Sequence, residues 1–304
     1  MIIYKYLDEE GAIKTLRKNA VLLRSPVDFN DPFDSIFYVD ENKMKEAYQV
    51  FINYQIFKKV YDELIVKKKK ANVLGIVNRA NIIHDAPIVK RDLKYEPLPY
   101  LSITYKIGLK YLGKTDQELK ASFEQTMSIV MDNLRKAVLI SCFGLKNNSL
   151  LMWSHYADKH KGACIEYEIE DSSFKVVKYS EQLQEFRLVD ALKIILGHDF
   201  ARADIDTNDP RFIFLADPVL TKAKDWSYEA EVRCIYSKTK LDPNISFVET
   251  KKEKLYLLKM PIPKAIYLGC NAEKEFIEKI SNIARDIPIK RMKKVVGKYA
   301  LEVE

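Results

Sequence analysis

The sequence has no long hydrophobic run and no glycine-rich phosphate-binding motif. Uncharged apolar runs of about 18 residues, which a transmembrane helix needs, do not occur. The amino terminus, MIIYKYLDEEG, has no apolar stretch behind a basic start and does not resemble a signal peptide. Neither GxGxxG nor GxxxxGK followed by Ser or Thr is present, so the common dinucleotide and P-loop folds have no support. We therefore expect a cytoplasmic protein.

Cysteine and histidine are also scarce, with four residues of each type. Cysteines 142, 164, 234 and 270 are far apart, lack CxxC spacing and lie in apolar, strand-like segments, so we expect them to be reduced core residues. His155 and His160 are five residues apart, whereas a zinc pair on a helix needs a spacing of four. The sequence therefore predicts no metal site.

The charge is balanced with a modest basic excess. The chain carries 50 Lys and Arg against 43 Asp and Glu, a formal net charge of +7, with basic clusters only at 67–70 and 290–294. Such an excess gives weak support to an anionic partner such as a nucleotide or nucleic acid. The 47% of hydrophobic residues is ample for a buried core.

Short strand patterns dominate outside one helical stretch. IIYKYL at 2–7 and AVLL at 20–23 read as strands around a helix capped by Asp8, and AVLISCF follows at 137–143. From 41 to 136 the pattern is helical, with a capping box at Thr115 and Glu118. We expect a single α+β domain over 1–304 with a bent, mostly antiparallel sheet and a helical insertion or subdomain at 41–136.

The segment DWSYEAEVRCIY at 225–236 places paired charge inside an otherwise strand-like run. If it is extended, Glu229, Glu231 and Arg233 share one face of the strand. Two interpretations remain open at this point. The face is either solvated, with an ordinary cross-strand ion pair, or it lines a pocket in which the carboxylates have perturbed pKa values.

Two other segments allow both a structural and a functional interpretation. The loop SPVDFNDPFD at 25–34 leaves Asn30 and Asp31 to bind either the backbone or a ligand. In NNSLLMWSHYADKHKG, the residues Trp153, His155 and Tyr156 either pack in the core or form the wall of a pocket that stacks a base or a nicotinamide ring.

Three stretches together resemble a widespread prokaryotic family catalogued only as a domain of unknown function. They are FNDPFD at 29–34, LLMWSHYADKHKGACIEY at 150–167 and WSYEAEVR at 226–233, with YKY near the start and IYLG near the end. The similarity covers nearly the whole chain except 41–136. Members of that family often lie near mobile or defence loci.

The order of these motifs also resembles the ADP-ribosyltransferase fold, particularly the DNA-modifying bacterial toxins. That fold has a basic residue between aromatics on its first strand, aromatic residues that stack on NAD, and a Gln/Glu-x-Glu pair on a late strand. The matching residues are Lys5 between Tyr4 and Tyr6, the helix around Trp153 and Tyr156, and Glu229 with Glu231. The chain departs in having Lys5 where His or Arg is usual, and in offering only Ser141 near the position of a Ser-Thr-Ser triplet.

The resemblance implies an NAD-consuming mono-ADP-ribosyltransferase, a toxin or phage-defence effector that modifies nucleic acid or protein. Glu231 would stabilise an oxocarbenium-like state, and Glu229 would orient or deprotonate the acceptor. The loop at 216–228, with Trp226 and Tyr228, would present that acceptor.

The remaining implied roles concern NAD itself, the expected co-substrate. Lys5 and Arg233 would contact the pyrophosphate or hold the glutamates, and Trp153 or Tyr156 would stack on the nicotinamide. The full set expected to bind NAD is Tyr4, Lys5, Tyr6, Asn30, Asp31, Ser141, Trp153, His155, Tyr156 and Arg233.

Two other hypotheses compete with this one. A non-catalytic module of the same fold would use its basic and aromatic surface to bind a nucleotide or nucleic acid. A nuclease would use Asp31, Glu229 and Glu231 with Mg²⁺, although these acids are far apart in sequence.

Overall fold

The described residues form a mixed α+β structure with a large mixed sheet, which confirms the α+β part of the expected fold class. The computed structural model describes residues 1–61, 112–170, 173–189, 192, 217–238, 243–249 and 254–304. Within these residues the helices are α1 (Glu9–Lys18), α2 (Glu41–Tyr61), α3 (Asp116–Ala137), α4 (Leu150–Tyr156) and α5 (Lys274–Ile283). Short 3-10 helices cover Pro26–Asp28, Pro218–Leu220 and Lys224–Glu229.

The strands of the same residues are mostly short. They are β1 (Ile2–Leu7), β2 (Ala20–Leu23), β3 (Phe37–Tyr38), β4 (Val138–Gly144), β5 (Ala163–Glu168), β6 (Phe174–Val176), β7 (Lys178–Ser180), β8 (Gln184–Glu185), β9 (Thr221–Ala223), β10 (Glu231–Ser237), β11 (Ile245–Glu249), β12 (Lys254–Lys259), β13 (Ala265–Leu268), β14 (Ile289–Lys294) and β15 (Leu301–Val303).

The chain divides into two compact units. The first consists of Met1–Ile36, Leu134–Leu183 and Pro218–Glu304, and the second of Phe37–Asn133 and Gln184–Asp217. The helical segment expected at 41–136 overlaps the second unit, which also includes 184–217. Of that segment, residues 62–111 lie outside the described residues.

A large sheet forms the centre of the first unit. Its strand order is β15-β14-β13-β5-β1-β4-β10-β6, and every neighbouring pair is antiparallel except β13 and β14, which are parallel. A second antiparallel sheet has the order β11-β12-β2, and β7 pairs with β9 in parallel. Because β1, β4 and β10 are neighbours, segments from the start, middle and last third of the chain lie side by side.

Local sequence signals explain the start of the first unit. The Asp8 carboxylate accepts a hydrogen bond from the Gly11 N–H at 2.7 Å and caps α1. Asn19, in the left-handed region with φ 46°, ends the helix, and β2 begins at the next residue. The predicted strands at 2–7 and 20–23, and the helix capped by Asp8 between them, are therefore correct.

The second unit contains α2, most of α3 and a parallel pairing of β3 with β8. The predicted capping box is present, since Glu118 N–H donates to Thr115 Oγ1 and Thr115 N–H donates to Glu118 Oε2. Phe123 of α3 packs against Tyr48 and Phe51 of α2, with ring centroids 5.3 and 5.5 Å away.

The strand predicted at 225–236 is present only from Glu231 onward. A 3-10 helix covers Lys224–Glu229, and β10 begins at Glu231. Between them Ala230 adopts the left-handed conformation with φ 43° and ψ 55°. Glu229 and Glu231 are therefore not alternate residues of one strand face, and their relative placement is set by this turn.

No helix among the described residues combines the length and the apolar character that crossing a membrane requires.

The HKG sequence after α4 is a tight turn pressed against two strands. Asp158, Lys159 and His160 all have positive φ values, and Gly162 follows two residues after His160. A Cβ atom on Gly162 would lie 2.1 Å from the Leu7 carbonyl oxygen, and one on Gly269 would lie 1.9 Å from the His160 carbonyl oxygen. Glycine is therefore required here because backbone approaches backbone.

We expect Gly162→Ala to lower the free energy of unfolding by about 3 kcal/mol or more, because backbone atoms cannot move aside as a side chain can. Gly297→Ala is the matched control, since Gly297 has φ 74° but no atom within 4 Å of its added Cβ. Its cost should be only the left-handed penalty of about 1–2 kcal/mol. Urea unfolding of both variants measures the difference, and equal losses would contradict the close-approach explanation.

Candidate active site

A buried arginine joins two acidic segments of the first unit. The Arg233 guanidinium donates to both oxygens of Asp34, at 2.9 and 2.6 Å, and to both oxygens of Glu231, at 2.7 and 3.1 Å. Its Nη1 also donates to the Val219 carbonyl at 2.6 Å. All five N–H donors of Arg233 are thereby used, and the side chain is fully buried. Arg233 therefore holds a glutamate in place and has no donor left for a pyrophosphate.

Lys222 of β9 brings a second cation to the same carboxylates. Its Nζ lies 2.6 Å from Glu229 Oε2, 3.4 Å from Glu231 Oε2 and 3.7 Å from Asp34 Oδ2. Five charged side chains thus meet here, and all of them are buried. We call them the buried charge cluster: Asp34, Lys222, Glu229, Glu231 and Arg233.

The turn at Ala230 explains how both glutamates reach Lys222. The left-handed Ala230 separates the 3-10 helix from β10, and the carboxylates on either side of it converge on one ammonium group. The second oxygen of Glu229 accepts a hydrogen bond from the Tyr156 hydroxyl at 2.6 Å. The backbone N–H of Glu231 donates to the Tyr179 hydroxyl at 2.7 Å, which fixes the start of β10.

The two glutamates have opposite pKa shifts. Burial by itself would raise the pKa of Glu231, but the charges and hydrogen bonds of Arg233 and the charge of Lys222 lower it to about 2. Burial raises the pKa of Glu229, and the charge of Glu231 adds to this effect, while Lys222 opposes it only in part. Glu231 is thus held ionised, and Glu229 accepts a proton more readily than Glu231 does.

The formal charge of the buried charge cluster agrees with this assignment. Three carboxylates face two cations, so the fully ionised cluster carries one uncompensated negative charge in a buried environment. A single proton removes the imbalance, and Glu229 is the carboxylate without an arginine partner. The pair therefore has the asymmetry typical of acid–base sites.

The glutamates lie at a cavity of about 730 Å³, inside the range of about 300–1,000 Å³ common for small-molecule sites. Of the residues predicted to form the site, the ones that line this cavity are Tyr4, Lys5, Tyr6, Asn30, Ser141, Tyr156, Glu229 and Glu231. Residues of β1, α4 and the EAE segment at 229–231 therefore line one cavity.

Lys5 is half-buried beside this cavity and is bound to β4. Its Nζ donates to Ser141 Oγ at 2.9 Å and to the Cys142 carbonyl at 2.8 Å, and it lies 5.0 Å from the Phe143 ring centroid. Burial lowers the pKa of Lys5. The Ser141 hydroxyl is occupied by this contact, so Ser141 positions Lys5.

A row of aromatic rings runs from the cluster along the 3-10 helix and α4. The Trp226 ring centroid lies 4.6 Å from Lys222 Nζ and 6.0 Å from that of Tyr228. The Tyr228 ring is 6.0 Å from that of His155, which in turn is 6.2 Å from Tyr156. Trp226, Tyr228 and His155 are absent from the cavity lining and flank the cluster instead.

Two predicted ligand residues have structural contacts instead. Trp153 is fully buried, its indole N–H donates to the Asn147 carbonyl at 2.7 Å, and its ring packs on the edge of Tyr6. Asp31 is buried and accepts a hydrogen bond from the Phe33 N–H. Neither lines the cavity, so of Trp153 and Tyr156 only Tyr156 is placed to contact a ligand there.

Sequence reasoning missed Asp34, Lys222 and Tyr179. Asp34 is the last acid of the FNDPFD motif, and its partner Arg233 is 199 residues away in sequence, so no local pattern distinguishes it from Asn30 and Asp31. Lys222 carries no local signal except that it precedes the EAE triplet by seven residues. Among the described residues, no group of three or more His, Cys, Asp or Glu side chains is arranged to hold a metal ion.

The comparisons with known proteins found one family, of unknown function, that matches part of the chain. A family model described as "Protein of unknown function (DUF2971)" matches residues 152–234. The match runs from α4 to the middle of β10 and includes Tyr156, Lys222, Glu229, Glu231 and Arg233. No curated protein and no solved structure matches the chain.

We expect Arg233→Met to lower the free energy of unfolding by about 3–5 kcal/mol, because it leaves Asp34 and Glu231 buried without their main cation. The matched control is Lys264→Met, which removes an exposed ion pair of 2.7 Å with Glu168 and should cost less than about 1 kcal/mol. Denaturant unfolding gives both values. Similar losses in the free energy of unfolding would contradict the claim that the buried ion pairs of Arg233 matter more for stability than an exposed ion pair.

Proposed function

We propose that the protein is an NAD-consuming ADP-ribosyltransferase that transfers ADP-ribose to nucleic acid or protein. The observation that carries the proposal is the pair of glutamates with opposite pKa shifts at the wall of a cavity lined by Tyr4, Tyr6 and Tyr156. A glycosyl transfer needs such a difference in pKa between two carboxylates, because one must stay ionised while the other exchanges a proton.

In the proposed reaction the bond between ribose C1′ and the nicotinamide nitrogen breaks, and its electron pair leaves with nicotinamide. The ionised Glu231 carboxylate stabilises the positive charge that develops on the ribose. An oxygen or nitrogen of the acceptor then attacks C1′ and passes its proton to the Glu229 carboxylate. Glu229 suits this role because its pKa is raised above the usual glutamate value.

Tyr156 and Lys222 act on this reaction by positioning Glu229. The Tyr156 hydroxyl and the Lys222 ammonium each contact one oxygen of that carboxylate at 2.6 Å. Burial and the neighbouring Glu229 raise the pKa of the Tyr156 hydroxyl, so it remains a neutral donor at physiological pH. Glu229 thus has a fixed orientation before any acceptor arrives, which lowers the entropic part of the barrier.

A second candidate function is a non-catalytic nucleotide-binding module. The observation in its favour is that Glu231 is only 3% exposed and both of its oxygens are engaged by Arg233. A carboxylate bound this tightly fits a structural role. The two candidates differ in one outcome, because the module binds NAD without turnover.

The test is nicotinamide release from NAD by the purified protein, with and without cell extract as a source of acceptors. We expect Glu231→Gln to reduce the rate about 10²–10³-fold, the usual cost of removing one charge-stabilising group. Glu229→Gln should reduce transfer to acceptors about 10²–10⁴-fold. The control is Glu168→Gln, whose exposed side chain pairs with Lys264 away from the cavity lining.

Thermal unfolding of each variant separates lost chemistry from lost folding. Equal nicotinamide release by folded Glu231→Gln and the native protein would refute the catalytic assignment. NAD binding without release by the native protein would favour the second candidate.

A further inference from the structure

The cavity beside the glutamates continues to a second end that the proposed chemistry does not use. This end is formed by the last turn of α1, by β2 with the residue that follows it, and by β12. It has an apolar wall of Leu22, Leu255 and Leu257, and two cations, Lys18 and Arg24, at its surface. The lining near α1 also includes Asp8, Glu10 and Lys14.

Sheet geometry accounts for the apolar wall. Leu22 and Leu257 are directly opposite each other in the antiparallel pairing of β2 with β12. Leu255 is two residues from Leu257 on the same face of β12. Val21 and Leu23 point to the other face of β2 and are buried in the core. A flat, half-exposed leucine surface of this kind suits the face of a heterocyclic base.

Arg24 is held at the edge of this wall by the backbone. The backbone N–H of Arg24 donates to the Ile140 carbonyl at 2.8 Å, and the backbone N–H of Ile140 donates to the Arg24 carbonyl at 2.8 Å. Arg24 and Leu22 are two residues apart in extended backbone and face the same cavity. The backbone of Arg24 is thus anchored to β4 at Ile140, the residue before Ser141.

The cations at this end have no carboxylate partners within the part of the chain that the structure describes. Arg24 and Lys18 form no ion pair with any described residue. By contrast Lys14, which also lines the cavity, pairs with Glu10 at 2.5 Å. Unpaired cations that converge on one cavity favour an anionic ligand.

We propose that this end of the cavity binds the base and diphosphate of a nucleoside diphosphate, with the base on the leucine wall and the phosphates at Arg24 and Lys18. The inference rests on the proposed function only in taking the ligand to be part of NAD. It moves the phosphate contact from Arg233, whose donors are all occupied inside the protein, to two residues outside the buried charge cluster.

The test is calorimetric titration of the full chain with ADP, adenosine and inorganic pyrophosphate. We expect the native protein to bind ADP at least about tenfold more tightly than adenosine. Arg24→Gln and Lys18→Gln should each weaken ADP binding about tenfold, the usual value of one charge-assisted hydrogen bond, and leave adenosine binding unchanged. The control is Arg17→Gln, which removes an exposed charge from the same helix turn but outside the cavity lining.

Equal affinity for ADP and adenosine, or ADP binding that Arg24→Gln and Lys18→Gln leave at the native value, would overturn the inference. Pyrophosphate binding that is as tight as ADP binding would remove the base from the proposal. The result is independent of turnover. A protein that binds ADP through Arg24 without releasing nicotinamide refutes the proposed function alone, whereas nicotinamide release with an unchanged KM for NAD in Arg24→Gln refutes this inference alone.

Discussion

The pairing of Arg233 with Asp34 and Glu231 is the constraint on which the rest of the first unit depends. Burying these charges costs several kcal/mol for each ion, and only bidentate geometry with every donor satisfied offsets that cost. The arginine meets this condition by contacting two carboxylates and the Val219 carbonyl. It thereby ties the FNDPFD loop, β10 and the segment before β9 to one another. This contact gives a structural reason for Asp34, Glu231 and Arg233, independent of any catalytic role.

The same pairing creates the asymmetry between the glutamates. Arg233 takes both oxygens of Glu231 and none of Glu229, so one carboxylate stays ionised while the excess negative charge of the cluster falls on the other. Lys222 and Tyr156 then orient Glu229 toward a cavity of about 730 Å³. A structural ion pair and the proposed acid–base site thus share one set of residues. This dual use explains why a carboxylate with an extensive set of partners can still belong to a proposed active site.

Sequence reasoning succeeded where the controlling interactions are local. The Asp8 cap, the end of α1 at Asn19 and the Thr115–Glu118 capping box each involve residues within a few positions, and all are present. It failed at 225–236, because an alternating pattern does not reveal that Ala230 adopts a left-handed turn. It also missed the partnership of Asp34 with Arg233, which are 199 residues apart in sequence. Composition alone could not decide that Trp153 lies in the core while Tyr156, three residues later, faces the cavity.

The most direct test of the central claim is the titration of the two glutamates by NMR with ¹³C-labelled glutamate side chains, assigned with Glu229→Gln and Glu231→Gln. The account predicts that Glu231 remains ionised as the pH falls and titrates at about 2. Glu229 should titrate above the ordinary glutamate pKa of about 4.3. If both carboxylates titrate together near that ordinary value, the buried charge cluster does not separate their roles, and the proposed chemistry loses its basis.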